Sequence, residues 1–299
     1  MEKDFKSGFV TIVGRPNVGK STLMNKLIGQ KISIISDKPQ TTRNTIKTVL
    51  TNENYQVVFI DTPGIHKPES PLGEYMIKSA KGTLEDVDLI LFMTTPDENM
   101  GNGDKFIIEQ FKNIKTPVIL IVNKIDEASV TKERLIKTLA NYNEQYEFED
   151  VIPISALTGE NIDKLTDVLY EKLPIGPKYF PDDVLTDQSE RFIVAEIIRE
   201  KALYFLEQEV PHGIAVEITQ MKEDSEESAV YIDATIYCEK DSHKGIIIGK
   251  NGQMLKKIKT LARKDIRRLL GVNVHLELWV KVKKNWRDDK AALRNFGYK

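Results

Sequence analysis

The run GRPNVGKS, residues 14–21, holds two glycines with four residues between them, followed at once by Lys20 and Ser21. That pattern suits a polyphosphate. Glycines let the backbone curl until several N–H groups point inward at anionic oxygens. The lysine reaches the β and γ phosphates, and the serine hydroxyl ligates magnesium. The apolar strand FVTIVG leads in and the helical KSTLMNKLIG leads out, which is the context this chemistry requires.

Two further motifs complete a nucleotide site. DTPG, residues 61–64, closes the apolar run VVFI about 40 residues after the lysine. There Asp61 is placed to reach magnesium through water, and the Gly64 amide to sense the γ phosphate. NKID, residues 123–126, ends the run PVILIV. A carboxylate at Asp126 accepts from both N1–H and the 2-amino group of guanine. Adenine offers neither donor and would leave that carboxylate buried and unpaired, so the base is guanine. Asn123 and Lys124 would brace the loop and pack over the base. Ser155 and Ala156, in ISA after the next apolar run, bring a backbone amide to the guanine oxygen.

The elements that must position these motifs are legible too. FVTIVG, VVFIDT, LILFMTT, PVILIVNK and VIPIS are apolar runs separated by helical patterns, the signature of buried strands in a sheet covered on both faces. NENYQ between TIKTVL and VVFI predicts one antiparallel hairpin. The Pro- and Gly-bearing segment 173–188 breaks the pattern and reads as a linker. Beyond it come a helix, two strands around the acidic turn KEDSEES, a basic glycine-bearing segment, a basic helix and a last strand. That order makes a separate α+β domain.

In this second region GKNG, residues 249–252, has the form of two glycines flanking two polar residues, and it opens the basic helix QMLKKIKTLARKDIRRLL. Leu255, Ile258, Leu261, Ile266 and Leu269 are expected in the core. The net charge of −2 conceals an asymmetry. Residues 181–239 hold 4 Lys/Arg against 15 Asp/Glu, and residues 240–299 hold 17 against 5, a balance of +12. That excess calls for an anionic partner. The single cysteine, Cys238, excludes an intramolecular disulfide and is expected as a buried strand residue. No apolar run reaches the roughly 18 residues of a membrane span, and no signal-peptide pattern opens the chain, so a cytoplasmic protein is expected.

The nucleotide motifs together resemble the translation-factor-related class of regulatory GTPases. The region around GKNG resembles a KH domain of the bacterial, type II order. Both in one chain, with HKPESPLGEYM after DTPGI, resemble the Era family. The resemblance implies an α/β P-loop GTPase domain over 1–175, its mostly parallel sheet covered by helices on both faces. A linker over 176–190 would follow, then a smaller α+β KH domain over 191–285 and a basic tail over 286–299. Nucleotide contacts fall on Gly14, Arg15, Pro16, Asn17, Val18, Gly19, Lys20, Ser21 and Thr22; on Asp61, Thr62, Pro63, Gly64 and Ile65; and on Asn123, Lys124, Asp126, Ser155 and Ala156.

Thr41, Thr42 and Arg43 resemble the first switch of that class, with Thr42 the better candidate for magnesium and Thr41 the alternative. Magnesium ligands are then Ser21, Thr42 and Asp61, and the catalytic set is Lys20, Thr42, Gly64 and Asn17. Ile65 stands where Ras-like proteins carry a water-orienting glutamine. Asn17 resembles the asparagine with which related GTPases hold potassium against the phosphates; the alternative is that it shapes the loop. RNA contacts would fall on Lys244, Ile246, Ile247, Ile248, Gly249, Lys250, Asn251, Gly252, Lys256 and Lys257. The resemblance further implies single-stranded RNA at the 3′ end of the small-subunit ribosomal RNA, a role in small-subunit assembly, a monomer, and contact with the inner face of the membrane.

Overall fold

The computed structural model describes residues 4–297 except 37, 39, 40, 42, 44, 45, 62–83, 85, 98 and 225. The chain forms two compact units, the first ending at Asp187 and the second beginning at Gln188; the short segment Ile34–Thr41 groups with the second.

The first unit is a six-stranded sheet in the order β2-β3-β1-β4-β5-β6. Its strands are β1 (Lys6–Val13), β2 (Ile46–Thr51), β3 (Tyr55–Asp61), β4 (Leu89–Thr94), β5 (Val118–Val122) and β6 (Asp150–Pro153). All neighbours are parallel except β2 and β3. That hairpin turns at Asn52, whose side-chain oxygen accepts from the N–H groups of Asn54 and Tyr55, both at 2.9 Å. An asparagine that satisfies the next backbone donors makes such a turn without help from the rest of the fold.

Helices α1 (Lys20–Ile28), α2 (Asn102–Phe111), α3 (Lys132–Asn143) and α4 (Ile162–Lys172) join the strands. Residue parity divides the core. Leu89, Leu91 and Met93 of β4 join Ile119 and Ile121 of β5 in the cluster under Leu165 and Leu169 of α4. Ile90 and Phe92 join Leu120 and Val122 in the opposite cluster, with Phe111 of α2 and Tyr142 of α3. Strands buried on both faces lose the alternating pattern and read as continuous apolar runs.

The segment read as a linker is fastened to the first unit through residue 187. The buried Gln56 side chain accepts from the N–H groups of Tyr179 (2.7 Å) and Phe180 (3.0 Å) and donates to the Phe180 carbonyl at 2.9 Å. The Val49 N–H donates to the Leu185 carbonyl at 2.9 Å, and Thr186 bridges Thr48. The pairings at Val49 and Thr48 cover the edge of β2, which would otherwise present unpaired donors and acceptors.

The second unit has a three-stranded sheet, β7 (Ala215–Asp224), β8 (Ala229–Cys238) and β9 (Asn273–Val282), in that order. β7 and β8 are antiparallel and β8 and β9 parallel. A parallel pair needs a long crossover. Here it is α6 (Asp241–Ile248) and α7 (Gln253–Leu270), while α5 (Glu190–Phe205) precedes the sheet, its N–H groups capped by Ser189. Helix α6 is an element the sequence reading left as a basic glycine-bearing segment. Gly245 and three successive isoleucines oppose helix by propensity, and packing of the fully buried Ile247 overrides it.

In β9, Val274, Leu276, Leu278 and Val280 face the core, and Cys238 of β8 is fully buried as expected. On α7 the buried seam is Ile258, Ala262 and Ile266, spaced four apart. Leu255 and Leu269 flank it half-buried. Leu261 is a correction: it is exposed, one position off the seam. The segment after 285 is no free tail. Trp286 is fully buried and donates from its indole to the Gly213 carbonyl at 2.9 Å. Phe296, past the helix α8 (Lys290–Asn295), meets the Trp286 ring edge-on at 5.3 Å. Charge alone suggested a tail; two aromatics among the cations anchor it.

Candidate functional site

The phosphate loop runs from β1 into α1. Gly14 has no room for a side chain, since a Cβ there would lie 2.3 Å from the Met93 carbonyl oxygen of β4. Gly19 is excluded from substitution twice. Its φ of 107° is outside the range of side-chain-bearing residues, and a Cβ would lie 2.2 Å from Asn123 Nδ2. Between them Asn17 also adopts positive φ, 66°, which asparagine tolerates better than most residues.

Lys20 opens α1 and is buried. Its ammonium donates to the carbonyls of Gly14 (3.0 Å) and Arg15 (2.8 Å), so it folds back over the loop that phosphates would occupy. Burial pushes its pKa down to about 8, with Asp61 and Asp104 pulling the other way. Asp61, at the end of β3, is fully buried, with the Ser33 and Ser21 hydroxyls nearby but no well-directed hydrogen bond to either carboxylate oxygen among the described residues. Burial raises its carboxyl to about 6, against the pull of Lys20 and the Ser33 and Ser21 hydroxyls. A buried ammonium and a buried carboxylate, each under-compensated, fit a bound phosphate and a divalent cation respectively. Magnesium with a nucleotide therefore fits this donor set, with Ser21 on the first turn of α1 and Asp61 opposite. The ion would neutralise phosphate charge.

The base-reading loops are tied to the phosphate loop by one residue. Asn123 donates to the Val18 carbonyl at 2.7 Å and accepts from the Ala156 N–H at 2.9 Å. Asp126 is exposed, and its Oδ1 accepts from the buried Ser155 hydroxyl at 2.6 Å. The Ser155 hydroxyl also accepts from the Thr158 N–H, at 3.0 Å. Lys124 has φ 68° and pairs with Glu127 at 3.3 Å. The structure thus brings together the 14–22, 61, 123–126 and 155–156 residues named from the sequence.

Thr42, Thr62, Pro63, Gly64 and Ile65 lie outside the described residues, as does the stretch HKPESPLGEYM. Thr41 is described within the second unit, its hydroxyl donating to the Lys38 carbonyl at 2.6 Å and its carbonyl accepting from Arg199. Arg43, of the same three-residue switch pattern, is buried.

In the second unit the GKNG turn joins α6 to α7. Gly249 and Gly252 have φ of 71° and 75°, and Asn251 between them 50°. Lys250 and Asn251 are exposed, as are Lys256 and Lys257 on the first turns of α7; Lys244 is half-exposed. Of the isoleucines, Ile247 is core, Ile248 half-buried and Ile246 exposed at 49%, so Ile246 is the one open to a base. Sequence reasoning missed Asp104, Tyr142 and Thr94, a buried polar group beside Arg15. Nothing local marks them, since they come from three separate elements.

This architecture is that of a P-loop GTPase joined to a KH domain. Residues 9–124 match the family described as 50S ribosome-binding GTPase, and residues 209–287 match the KH domain. GTPase Era of Clostridium acetobutylicum is 61% identical over 295 residues, covering 99% of this chain and 98% of its own length. GTPase Era of Clostridium botulinum is 58% identical over 295 residues, 99% of each chain. A crystal structure of Era in complex with MgGDPNP and nucleotides 1506–1542 of 16S ribosomal RNA superposes with a TM-score of 0.94 at 42% identity, covering 98% of this chain and 99% of that one. Era of Aquifex aeolicus bound to GDP·AlF4− gives 0.94 at 41% identity, with the same coverage. The chain belongs to the Era family, and it is a GTPase.

Proposed function

We propose that this GTPase binds GTP with magnesium and recognises single-stranded RNA at the 3′ end of the small-subunit ribosomal RNA, acting in assembly of the small subunit. The observation that carries the RNA reading is the GKNG turn, with Lys250 and Asn251 exposed at the mouth of the cationic helix α7. Backbone at such a turn approaches sugar and phosphate closely, and about four nucleotides are held there. The Era structure solved with a 16S fragment supports the choice of RNA.

Replacing Lys250 and Asn251 together with Asp is expected to weaken binding of a 3′-end 16S oligonucleotide by on the order of 100-fold, with GTP affinity unchanged. Two carboxylates would face phosphates at close range. The wild-type affinity should fall with salt at a slope of roughly −0.7 per neutralised phosphate. Retained RNA binding in the double variant, measured by fluorescence anisotropy, would remove GKNG from the interface.

Within the site, Lys20 and the Gly64 amide stabilise the γ phosphate, Thr42 and Ser21 hold magnesium, and Asp61 holds it through water. Asn17 would hold a potassium ion, which would supply further positive charge where Ile65 has no polar group to orient water. Hydrolysis is then slow, and several-fold faster in potassium than in sodium. Asn17→Gly separates the two roles of this residue. Glycine keeps the positive φ and deletes the side chain, so the potassium preference should vanish while nucleotide affinity stays. A preference that survives in this variant assigns Asn17 to loop shape alone. Function as a monomer, and peripheral contact of the cationic last segment with an anionic membrane face, belong to the same reading. No helix among the described residues is long and apolar enough to cross a membrane.

A further inference from the structure

We propose that Asp104, on the first turn of α2, is a positioning residue for the phosphate loop, acting through Arg15. Arg15 is the second residue of that loop, and its carbonyl is one of the two on which the Lys20 ammonium rests. Its side chain runs the opposite way. Nη2 donates to Asp97 Oδ2 at 2.8 Å and to Thr95 Oγ1 at 3.3 Å, while Nε lies 2.7 Å from Asp104 Oδ2. The aliphatic stem lies along the start of α2, where a Cβ on Gly103 would come within 3.0 Å of Arg15 Cγ. A glycine there makes room for the arginine.

Asp104 is fully buried. The same Oδ2 accepts from the Tyr142 hydroxyl at 2.6 Å and from the Thr94 hydroxyl at 3.3 Å. Groups from β4, α3 and the phosphate loop therefore converge on one carboxylate oxygen of α2. Burial raises the Asp104 carboxyl, and Tyr142 and Arg15 pull it back. The Tyr142 hydroxyl is raised by burial and by Asp104, so it stays a donor.

A buried carboxylate is a poor device for stability alone, because an apolar side chain of similar size does as well. Its use here is direction. A guanidinium holds a planar fork of donors, and this one spans two carboxylates on different elements. That fixes the rotation of the loop at Arg15, and with it the carbonyl against which Lys20 is set. Asp104 also acts on the Lys20 ammonium through space.

The test compares Asp104→Asn, Arg15→Met and the double variant with Phe111→Leu, a core change on the same helix that removes none of these polar groups. Release of a fluorescent GDP analogue is followed by stopped flow, and kcat and KM are measured for GTP. Asp104→Asn should speed release and raise KM about ten-fold, the scale of one lost bond to a charged group. Its kcat should stay within about two-fold. The double variant should be no worse than the more affected single one, because both changes cut one connection. Phe111→Leu should lower the melting temperature and leave release unchanged. The proposal is overturned if Asp104→Asn leaves release and KM at wild-type values, if the two single effects multiply, or if Phe111→Leu speeds release equally.

Discussion

Lys20→Ala is expected to lower GTP affinity by on the order of 1000-fold while the protein stays folded. The lysine is buried, and its ammonium donates to the carbonyls of Gly14 and Arg15, which phosphate oxygens would replace as its partners. With its pKa near 8, it carries the cost of a buried charge that the γ and β phosphates would offset. Truncating one side of such a desolvated charge pair costs roughly 4 kcal/mol. The fold should tolerate the change, because the methylenes of Lys20 are not part of the main apolar clusters. Isothermal titration with GDP and a non-hydrolysable GTP analogue measures the loss. A melting temperature of the nucleotide-free variant within about 4 °C of wild type establishes that the fold survives. Wild-type affinity in the variant would remove Lys20 from the phosphate site.

Asp126→Asn should exchange guanine for xanthine. The carboxylate is aimed by the Ser155 hydroxyl at 2.6 Å, and Ser155 is itself fixed by burial. An asparagine can keep that hydrogen bond and turn its amide to donate. Guanine then meets a donor where it needs an acceptor. Xanthine, with a carbonyl in place of the 2-amino group, meets a match. The reversal should reach on the order of 1000-fold in the ratio of the two affinities, as for other sites that read a ligand by one directed hydrogen-bonding group. Competition of GTP and XTP for one fluorescent nucleotide measures it. A variant that still prefers GTP shows that the base is read elsewhere.

How much of this was legible in the sequence depends on how local each signal is. GRPNVGKS and NKID announce themselves because glycines, lysine, asparagine and aspartate act within a few residues of one another. The strands β4 and β5 were legible because burial on both faces leaves unbroken apolar runs. The role of Asn123 as the tie between Val18 and Ala156 could be anticipated only as bracing. Its partners lie 105 and 33 positions away, so they appear only when the sheet assembles. Asp104 and Tyr142, 38 positions apart, were invisible for the same reason. The helix α6 was hidden by three isoleucines that favour strand, and the packing of the chain end by the charge around Trp286. Leu261 was assigned to the core by helical spacing alone, and helical spacing does not say how wide the buried stripe is.

The central claim is that one chain couples a guanine-nucleotide site to recognition of ribosomal RNA. Crosslinking the protein to RNA in growing cells and sequencing the bound fragments tests it most directly, with the Lys250/Asn251 double variant in parallel. The account predicts that reads concentrate at the single-stranded 3′ end of the small-subunit ribosomal RNA and disappear in the variant. Reads concentrated in another class of RNA, or unchanged in the variant, would contradict it.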